Sequence, residues 1–141
     1  MRYVWLLLTL IMVAVIWGNS MLPGDESLRV SGVITTVLNA IGNALSITFN
    51  WDVEHVVRKL GHFLEFAFLG WLLCRTYEEF HVGHRAATGY IFFFCLFVAV
   101  VDEYIQVFSP GRSSLVKDVL LDFSGSFCAW LSVRFWSWAK L

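Results

Sequence analysis

Four long apolar stretches, each separated from the next by polar or turn-rich residues, dominate the chain. They cover about residues 3–17, 56–74, 87–108 and 115–138. At about 1.5 Å per helical residue, some 20 residues cross the roughly 30 Å hydrocarbon core of a bilayer. We therefore predict an all-α integral membrane protein with four transmembrane helices, formed by a single domain over residues 1–141.

The first stretch is shorter than a full span and follows Arg2, as the apolar part of a signal peptide would. We interpret it as a retained helix. Lysine and arginine residues then divide equally between the two sides of the membrane. Four of those on the side of the first long loop belong to or adjoin polar clusters and are attributed to function, so both termini are predicted to be cytoplasmic and that loop external.

The segment between the first two spans has an amphipathic pattern over residues 28–45. Its apolar residues share one helical face; they are Val30, Val33, Val37, Leu38, Ile41 and Leu45. Such a pattern is typical of a helix that lies in the membrane surface. We predict an interfacial helix in the first external loop, with a re-entrant fifth span as the alternative.

The composition supports a membrane protein. Hydrophobic residues make up 58% of the chain and charged residues 15%, whereas soluble domains carry about 25% charged residues. A net charge of -1 provides no basic surface, so nucleic acid is not an expected partner. Cys74, Cys95 and Cys128 have no C-x-x-C spacing, which argues against a disulfide framework or a zinc site; we expect them to be small buried hydrophobes.

Polar residues interrupt three of the four apolar stretches. They are Arg58, Lys59, His62 and Glu65 in the second, Asp102, Glu103 and Gln106 in the third, and Arg112, Asp118 and Asp122 before and within the fourth. An ionisable residue at the centre of a membrane helix costs about 2.5 to 3.5 kcal/mol, so this many need a shared reason. Alternation of the spans places all three groups at a similar depth on the external side, which predicts one polar pocket near the outer leaflet.

Helical spacing gives the same result. Arg58, His62 and Glu65 follow one another at i, i+4 and i+7, which puts them on one stripe of the second helix. Asp118, Asp122 and Gly125 repeat this spacing on the fourth helix, where Gly125 and Ala129 are small enough to allow close helix approach.

The pocket has the residue types needed to bind and hydrolyse a phosphate ester or phosphoanhydride. The candidate catalytic residues are His62, Glu65, Asp102, Glu103 and Asp122, and the candidate substrate-binding residues are Arg58, Lys59, Gln106, Arg112 and Asp118. His62 would act as nucleophile or proton shuttle, with its imidazole oriented by Glu65, and the cations would hold the anion.

Each group also has a purely structural interpretation. His62 and Glu65 can form an intrahelical hydrogen bond, Arg112 can anchor lipid headgroups, and Asp118 can favour the helix N-terminus. A non-enzymatic lipid- or antibiotic-binding accessory protein is therefore the alternative function, whereas transport is disfavoured because four helices show no internal repeat.

No cofactor and no metal is predicted, because His-x-x-Glu is a weak pattern and lacks the spacing of a zincin helix. The alternative is a zinc or manganese site formed by His62, Glu65, Asp102 and Glu103.

Three ordered motifs resemble the VanZ-like family, named for a teicoplanin-resistance accessory protein. They are residues 58–66 (RKLGHFLEF), 102–112 (DEYIQVFSPGR) and 118–125 (DVLLDFSG). Asn19-Ser20, with Pro23-Gly24 and Ser27, resembles the family's loop after its first helix. The resemblance implies a bacterial inner (cytoplasmic) membrane protein of the cell envelope, with relatives that affect antibiotic sensitivity. We expect membrane lipids as partners and a lipid-linked or acylated envelope molecule as ligand or substrate.

Overall fold

A computed structural model of the protein describes residues 2–23, 32, 35–37, 40, 52–112 and 114–139. All regular secondary structure in these residues is α-helical, which confirms the all-α prediction. The four helices are α1 (Arg2–Met21), α2 (Val53–Glu79), α3 (His84–Gln106) and α4 (Val116–Trp138).

Two helices are longer than the sequence pattern predicts. α1 ends at Met21 and not near residue 17, so Asn19 and Ser20 lie in its last turn and not in a loop. These polar residues remain helical because their side chains and carbonyl groups bind other helices and the following connections. α2 begins three residues earlier than predicted, since the Asp52 side chain accepts a hydrogen bond from the backbone N–H of His55 and caps the helix.

The helix predicted for residues 28–45 lies mostly outside the described residues. The positions within it that are described, 32, 35–37 and 40, are helical. Its placement in the membrane surface stays a prediction.

α2 is the central element of the bundle. It packs most extensively against α4 and also contacts α1 and α3, while α3 contacts both α1 and α4. The end of α1, the start of α2, the end of α3 and the start of α4 lie together, because Asn19, Lys59 and Arg112 form hydrogen bonds between them. The three polar groups of the sequence therefore come from neighbouring helix ends.

Two glycines set the spacing between α2 and α4. A Cβ atom on Gly125 would overlap the carbonyl oxygen of Phe63, and one on Gly70 would lie 2.8 Å from the Cα and the carbonyl oxygen of Ser126. The Ser126 hydroxyl donates to the Phe66 carbonyl oxygen at 2.9 Å. Small residues thus allow backbone-to-backbone contact, as predicted for Gly125.

Below the polar helix ends, the interior of the bundle is apolar. Its fully buried members include Ile16, Phe66, Leu69 and Val98. Cys74 and Cys95 are buried among them as predicted, and both are free thiols. The prediction was wrong for Cys128, which is exposed on the outer face of α4. Ser124 and Ser132, one helical turn on either side of it, donate hydrogen bonds to carbonyl groups of their own helix. This face of α4 therefore contributes little to the apolar core.

The outer surface of the bundle is also apolar. All four helices expose large hydrophobic side chains, with examples in Leu10 (58% exposed), Leu64 (56%), Phe93 (66%) and Leu131 (50%). The stretches Tyr3–Met21 and Arg85–Gln106, in α1 and α3, are long and apolar enough to cross a bilayer. Soluble monomers rarely expose apolar surface on this scale.

The Gly125 contact leads to a stability prediction. We expect Gly125→Ala to lower the free energy of unfolding by about 1–3 kcal/mol, because the methyl group forces α2 and α4 apart. Gly89→Ala is the matched control, since nothing lies within 4 Å of a Cβ there and alanine favours the helix. Thermal unfolding in detergent measures both. Equal melting temperatures for the two variants would contradict the proposed close contact.

Candidate functional site

Eight of the ten predicted site residues line one small cavity at the polar end of the bundle. They are Arg58, Lys59, His62, Glu103, Gln106, Arg112, Asp118 and Asp122, and Leu121 completes the wall. The cavity volume is about 30 Å³, which accommodates a water molecule or a single ion. Asp102 lies beside the cavity, close to His62. Glu65 of α2 lies against the end of α1, where it binds Asn19.

Asp102 is fully buried and held in one orientation. Its Oδ1 accepts a hydrogen bond from the Ser20 hydroxyl at 2.6 Å, and its Oδ2 accepts one from Gln106 Nε2 at 2.9 Å. Gln106 lies one helical turn after Asp102, so the second bond stays within α3. The same Oδ2 lies 3.9 Å from His62 Nδ1, which places the imidazole opposite a fixed carboxylate.

Asp122 is buried on α4 without a partner of this kind. It is 1% exposed, and neither carboxylate oxygen has a hydrogen-bond partner among the described residues. His62 Nδ1 likewise has none in the described part of the chain. One ligand atom each of His62, Asp102 and Asp122 lie within 4.8 Å of one another, so three helices bring an imidazole and two carboxylates to one point.

The other two candidate catalytic carboxylates, Glu65 and Glu103, form hydrogen bonds with groups other than His62. Glu65 Oε1 accepts from Asn19 Nδ2 at 2.9 Å, which joins α2 to α1. Glu103 Oε2 accepts from the backbone N–H of Leu115 at 2.9 Å and so holds the start of α4. The carboxylate that faces the imidazole Nδ1 is therefore Asp102, and not Glu65 as predicted.

The three cations differ in how far they are already occupied. Lys59 Nζ pairs with Asp118 Oδ1 at 2.5 Å and links α2 to α4. Arg112 Nη2 donates to the Asn19 carbonyl at 3.1 Å, but its buried Nε has no partner among the described residues. Arg58 also lines the cavity, and its side chain forms no hydrogen bond or ion pair with another residue that the structure describes.

Arg112 lies in the connection between α3 and α4. Burial lowers the pKa of its guanidinium from the ordinary value, although an arginine stays protonated in proteins. It therefore supplies a fixed positive charge.

The end of α1 is the part of the site that the sequence pattern missed. Asn19 and Ser20 bind Glu65 of α2, Asp102 of α3 and Arg112 of the following connection. The Ser109 hydroxyl adds a bond of 2.6 Å to the Ser20 carbonyl oxygen. The sequence signals were a polar pair directly after an apolar stretch and its resemblance to the family's loop after the first helix, and both indicated a loop rather than a part of the site.

Removal of the Ser20 hydroxyl tests this arrangement. We expect Ser20→Ala to lower the free energy of unfolding by about 1–3 kcal/mol, because the buried Asp102 carboxylate loses a donor. Ser132→Ala is the control, since its exposed hydroxyl binds only the Cys128 carbonyl of its own helix. Melting temperatures in detergent distinguish the two, and a Ser20→Ala protein as stable as the control would contradict the role of this bond.

The model of the VanZ/LLP1 family matches residues 5–137 of the chain, which include every residue of the cavity. No curated protein and no solved structure matches the chain.

Proposed function

The chain belongs to the VanZ/LLP1 family, and we propose that it is a bacterial inner-membrane protein whose four helices all cross the bilayer. Both termini are cytoplasmic, the first loop with its interfacial helix is external, and the cavity opens near the outer leaflet. Exposed apolar side chains on α2 and α4, among them Leu64, Phe68, Leu120 and Leu131, support a position of both helices in the bilayer, because His62 and Asp122 at their polar ends are largely buried.

Cysteine labelling tests the topology. In a Cys128→Ser background we expect a membrane-impermeant maleimide to label Pro110→Cys in spheroplasts, because the connection between α3 and α4 is external. Gly83→Cys, in the exposed connection between α2 and α3, should be labelled only after permeabilisation. The reverse pattern would place the cavity on the cytoplasmic side and would contradict the proposal.

The cavity binds the anionic group of a lipid-linked or acylated envelope molecule. One observation carries this proposal: Arg58 and Arg112 line a cavity inside a bundle with an apolar exterior, and the Arg58 side chain and Arg112 Nε have no hydrogen-bond partner among the described residues. Guanidinium groups suit phosphate and carboxylate, and the apolar helix faces suit the attached chain. Lys59 contributes its charge but is already paired with Asp118.

The reaction that fits these residues is hydrolysis or transfer at a phosphate ester or acyl bond of that molecule. His62, held opposite Asp102, takes the proton of the attacking water or hydroxyl group. The buried Asp102 stabilises the imidazolium that results, in the way that a carboxylate supports a catalytic histidine. As the ester or acyl bond breaks, the imidazolium returns the proton to the leaving oxygen. Consumption or modification of the envelope molecule would then change sensitivity to teicoplanin and related lipoglycopeptides.

Binding without reaction is the second candidate. It is favoured by the number of ionisable groups that already have fixed partners, among them Lys59 with Asp118 and Glu103 with the Leu115 N–H. In this case the protein shields or presents its ligand, and the same drugs are affected through occupancy.

One experiment separates these functions. The purified protein is incubated with a panel of isoprenoid- and glycerol-linked lipid phosphates and lipoglycopeptides, and binding and altered mass are both measured. We expect His62→Ala to abolish turnover with binding kept within about threefold, and Arg58→Gln to weaken binding about tenfold, since one charge-assisted contact is lost.

Arg85→Gln is the matched control, because this exposed arginine lies at the opposite end of α3. Binding without turnover in the wild-type protein would establish the second candidate. If neither occurs, or if Arg85→Gln has the same effect as Arg58→Gln, the proposed site is wrong.

A further inference from the structure

We propose that His62, Asp102 and Asp122 bind one divalent metal ion, zinc or manganese, at the inner wall of the cavity. The proposal goes beyond the proposed function, because the metal can bind whether or not any lipid-linked molecule reacts. With the ion bound, His62 is a ligand and cannot also take a proton, so an ion-bound hydroxide would replace it in supplying the nucleophile. It also differs from the metal alternative of the sequence, in which Glu65 and Glu103 were ligands.

The geometry is that of a three-ligand site. One ligand atom from each residue lies within 4.8 Å of the other two. Metal–ligand distances of about 2.0–2.2 Å place tetrahedral ligand atoms about 3.4 Å apart, so these atoms would have to approach one another by up to roughly 1.5 Å. Rotation of His62 and Asp122 could provide this, because His62 Nδ1 and the Asp122 carboxylate have no hydrogen-bond partner among the described residues. The residues come from α2, α3 and α4, so the ion would fasten three helices together.

Asp122 provides the independent reason to expect a ligand. A carboxylate that is 1% exposed normally accepts hydrogen bonds or pairs with a cation, yet neither of its oxygens has a partner among the described residues. Lys59 on the cavity wall is paired with Asp118, and the guanidinium groups of Arg58 and Arg112 on the same wall donate no hydrogen bond to Asp122. His62, whose buried Nδ1 also has no partner in the described part of the chain, offers a ring nitrogen at the same point.

The charges of the site support a divalent ion. Its ionisable residues are five acids (Glu65, Asp102, Glu103, Asp118 and Asp122) and three bases (Arg58, Lys59 and Arg112). With all five acids ionised and His62 neutral, as a metal ligand must be, the site would carry two negative charges. One divalent cation balances them inside a bundle that provides little solvent.

The surroundings of the ligands resemble those of known metal sites. The Ser20 hydroxyl at 2.6 Å and the Gln106 amide at 2.9 Å orient Asp102, so residues that do not bind the ion hold one of its ligands in place. One imidazole and two carboxylates suit zinc or manganese better than the softer ions that prefer thiolates. Three protein ligands leave at least one coordination position open toward the cavity.

The open coordination position would face the cavity. The cavity volume of about 30 Å³ accommodates a metal-bound water molecule, with Arg112 and Arg58 on the adjacent wall. An ion together with two guanidinium groups binds an oxyanion such as phosphate. This step, unlike metal binding itself, rests on the proposed function.

Metal binding is tested on the full-length protein in detergent after dialysis against a chelator. We titrate it with Zn²⁺ or Mn²⁺ and determine stoichiometry by elemental analysis, affinity by calorimetry and, for Mn²⁺, the electron paramagnetic resonance signal of the free ion. We expect one ion per chain, and at least a hundredfold weaker binding in Asp122→Asn and in His62→Ala. Ser20→Ala should weaken binding about tenfold, because the Asp102 ligand loses the hydroxyl that orients it.

Glu78→Gln is the matched control. This acid pairs with Arg75 at the opposite end of α2, so its loss should leave the affinity for the ion unchanged. Asp122→Asn removes an unpartnered buried carboxylate and should fold at least as well as the wild type, which a melting curve checks.

Three results would overturn the proposal. The first is folded wild-type protein that binds neither ion. The second is an affinity that Asp122→Asn leaves intact, which would indicate adventitious binding at other acids. The third is an infrared carbonyl band of a protonated carboxylic acid that disappears in Asp122→Asn and persists with added metal, since Asp122 would then be neutralised by a proton. None of these measurements uses a substrate, so failure of the proposed reaction leaves them unaffected.

Discussion

The constraint on which this structure depends is that carboxylates placed inside an apolar bundle must find their partners on neighbouring helices. Asp102 accepts a hydrogen bond from Ser20 of α1, Glu65 accepts one from Asn19, and Asp118 pairs with Lys59. Breaking the fully buried Ser20–Asp102 bond leaves a buried carboxylate under-compensated, which costs more than a pair at the surface contributes. The relative positions of all four helix ends follow from these pairs, and Asp122 stands out because it alone among these carboxylates has no such partner in the described residues.

Glycine contact between α2 and α4 supports this arrangement from below. Gly70 and Gly125 allow the two backbones to touch about one to two turns away from His62 and Asp122. A wider spacing would separate Lys59 from Asp118 and enlarge the cavity beyond the size of a single ion. Packing and polar chemistry are thus coupled: small residues set the distance, and the charged residues require that distance.

The sequence predicted the helices and the meeting of the three polar groups, because alternating spans leave few places where those groups can lie. It did not predict that Asn19 and Ser20 belong to the site, since the apolar pattern ended at residue 17 and a polar pair also fits a loop. Nor did it identify Asp102 as the partner of His62. Spacing along one helix brings Glu65 near His62, whereas the rotation of α3 against α2 depends on side-chain packing that no periodicity encodes.

The bond between Ser20 and Asp102 joins residues that are 82 positions apart, and this separation has a consequence for biosynthesis. At about 5–20 residues per second, a ribosome needs roughly 4–16 s to reach Asp102 after Ser20 has been made. If the helices enter the bilayer in chain order, the Ser20 hydroxyl lacks its Asp102 acceptor for that time. Lys59 of α2 likewise lacks Asp118 until α4 has been made. In the proposed membrane topology, these polar groups would therefore stay unpaired until α3 and α4 have been made.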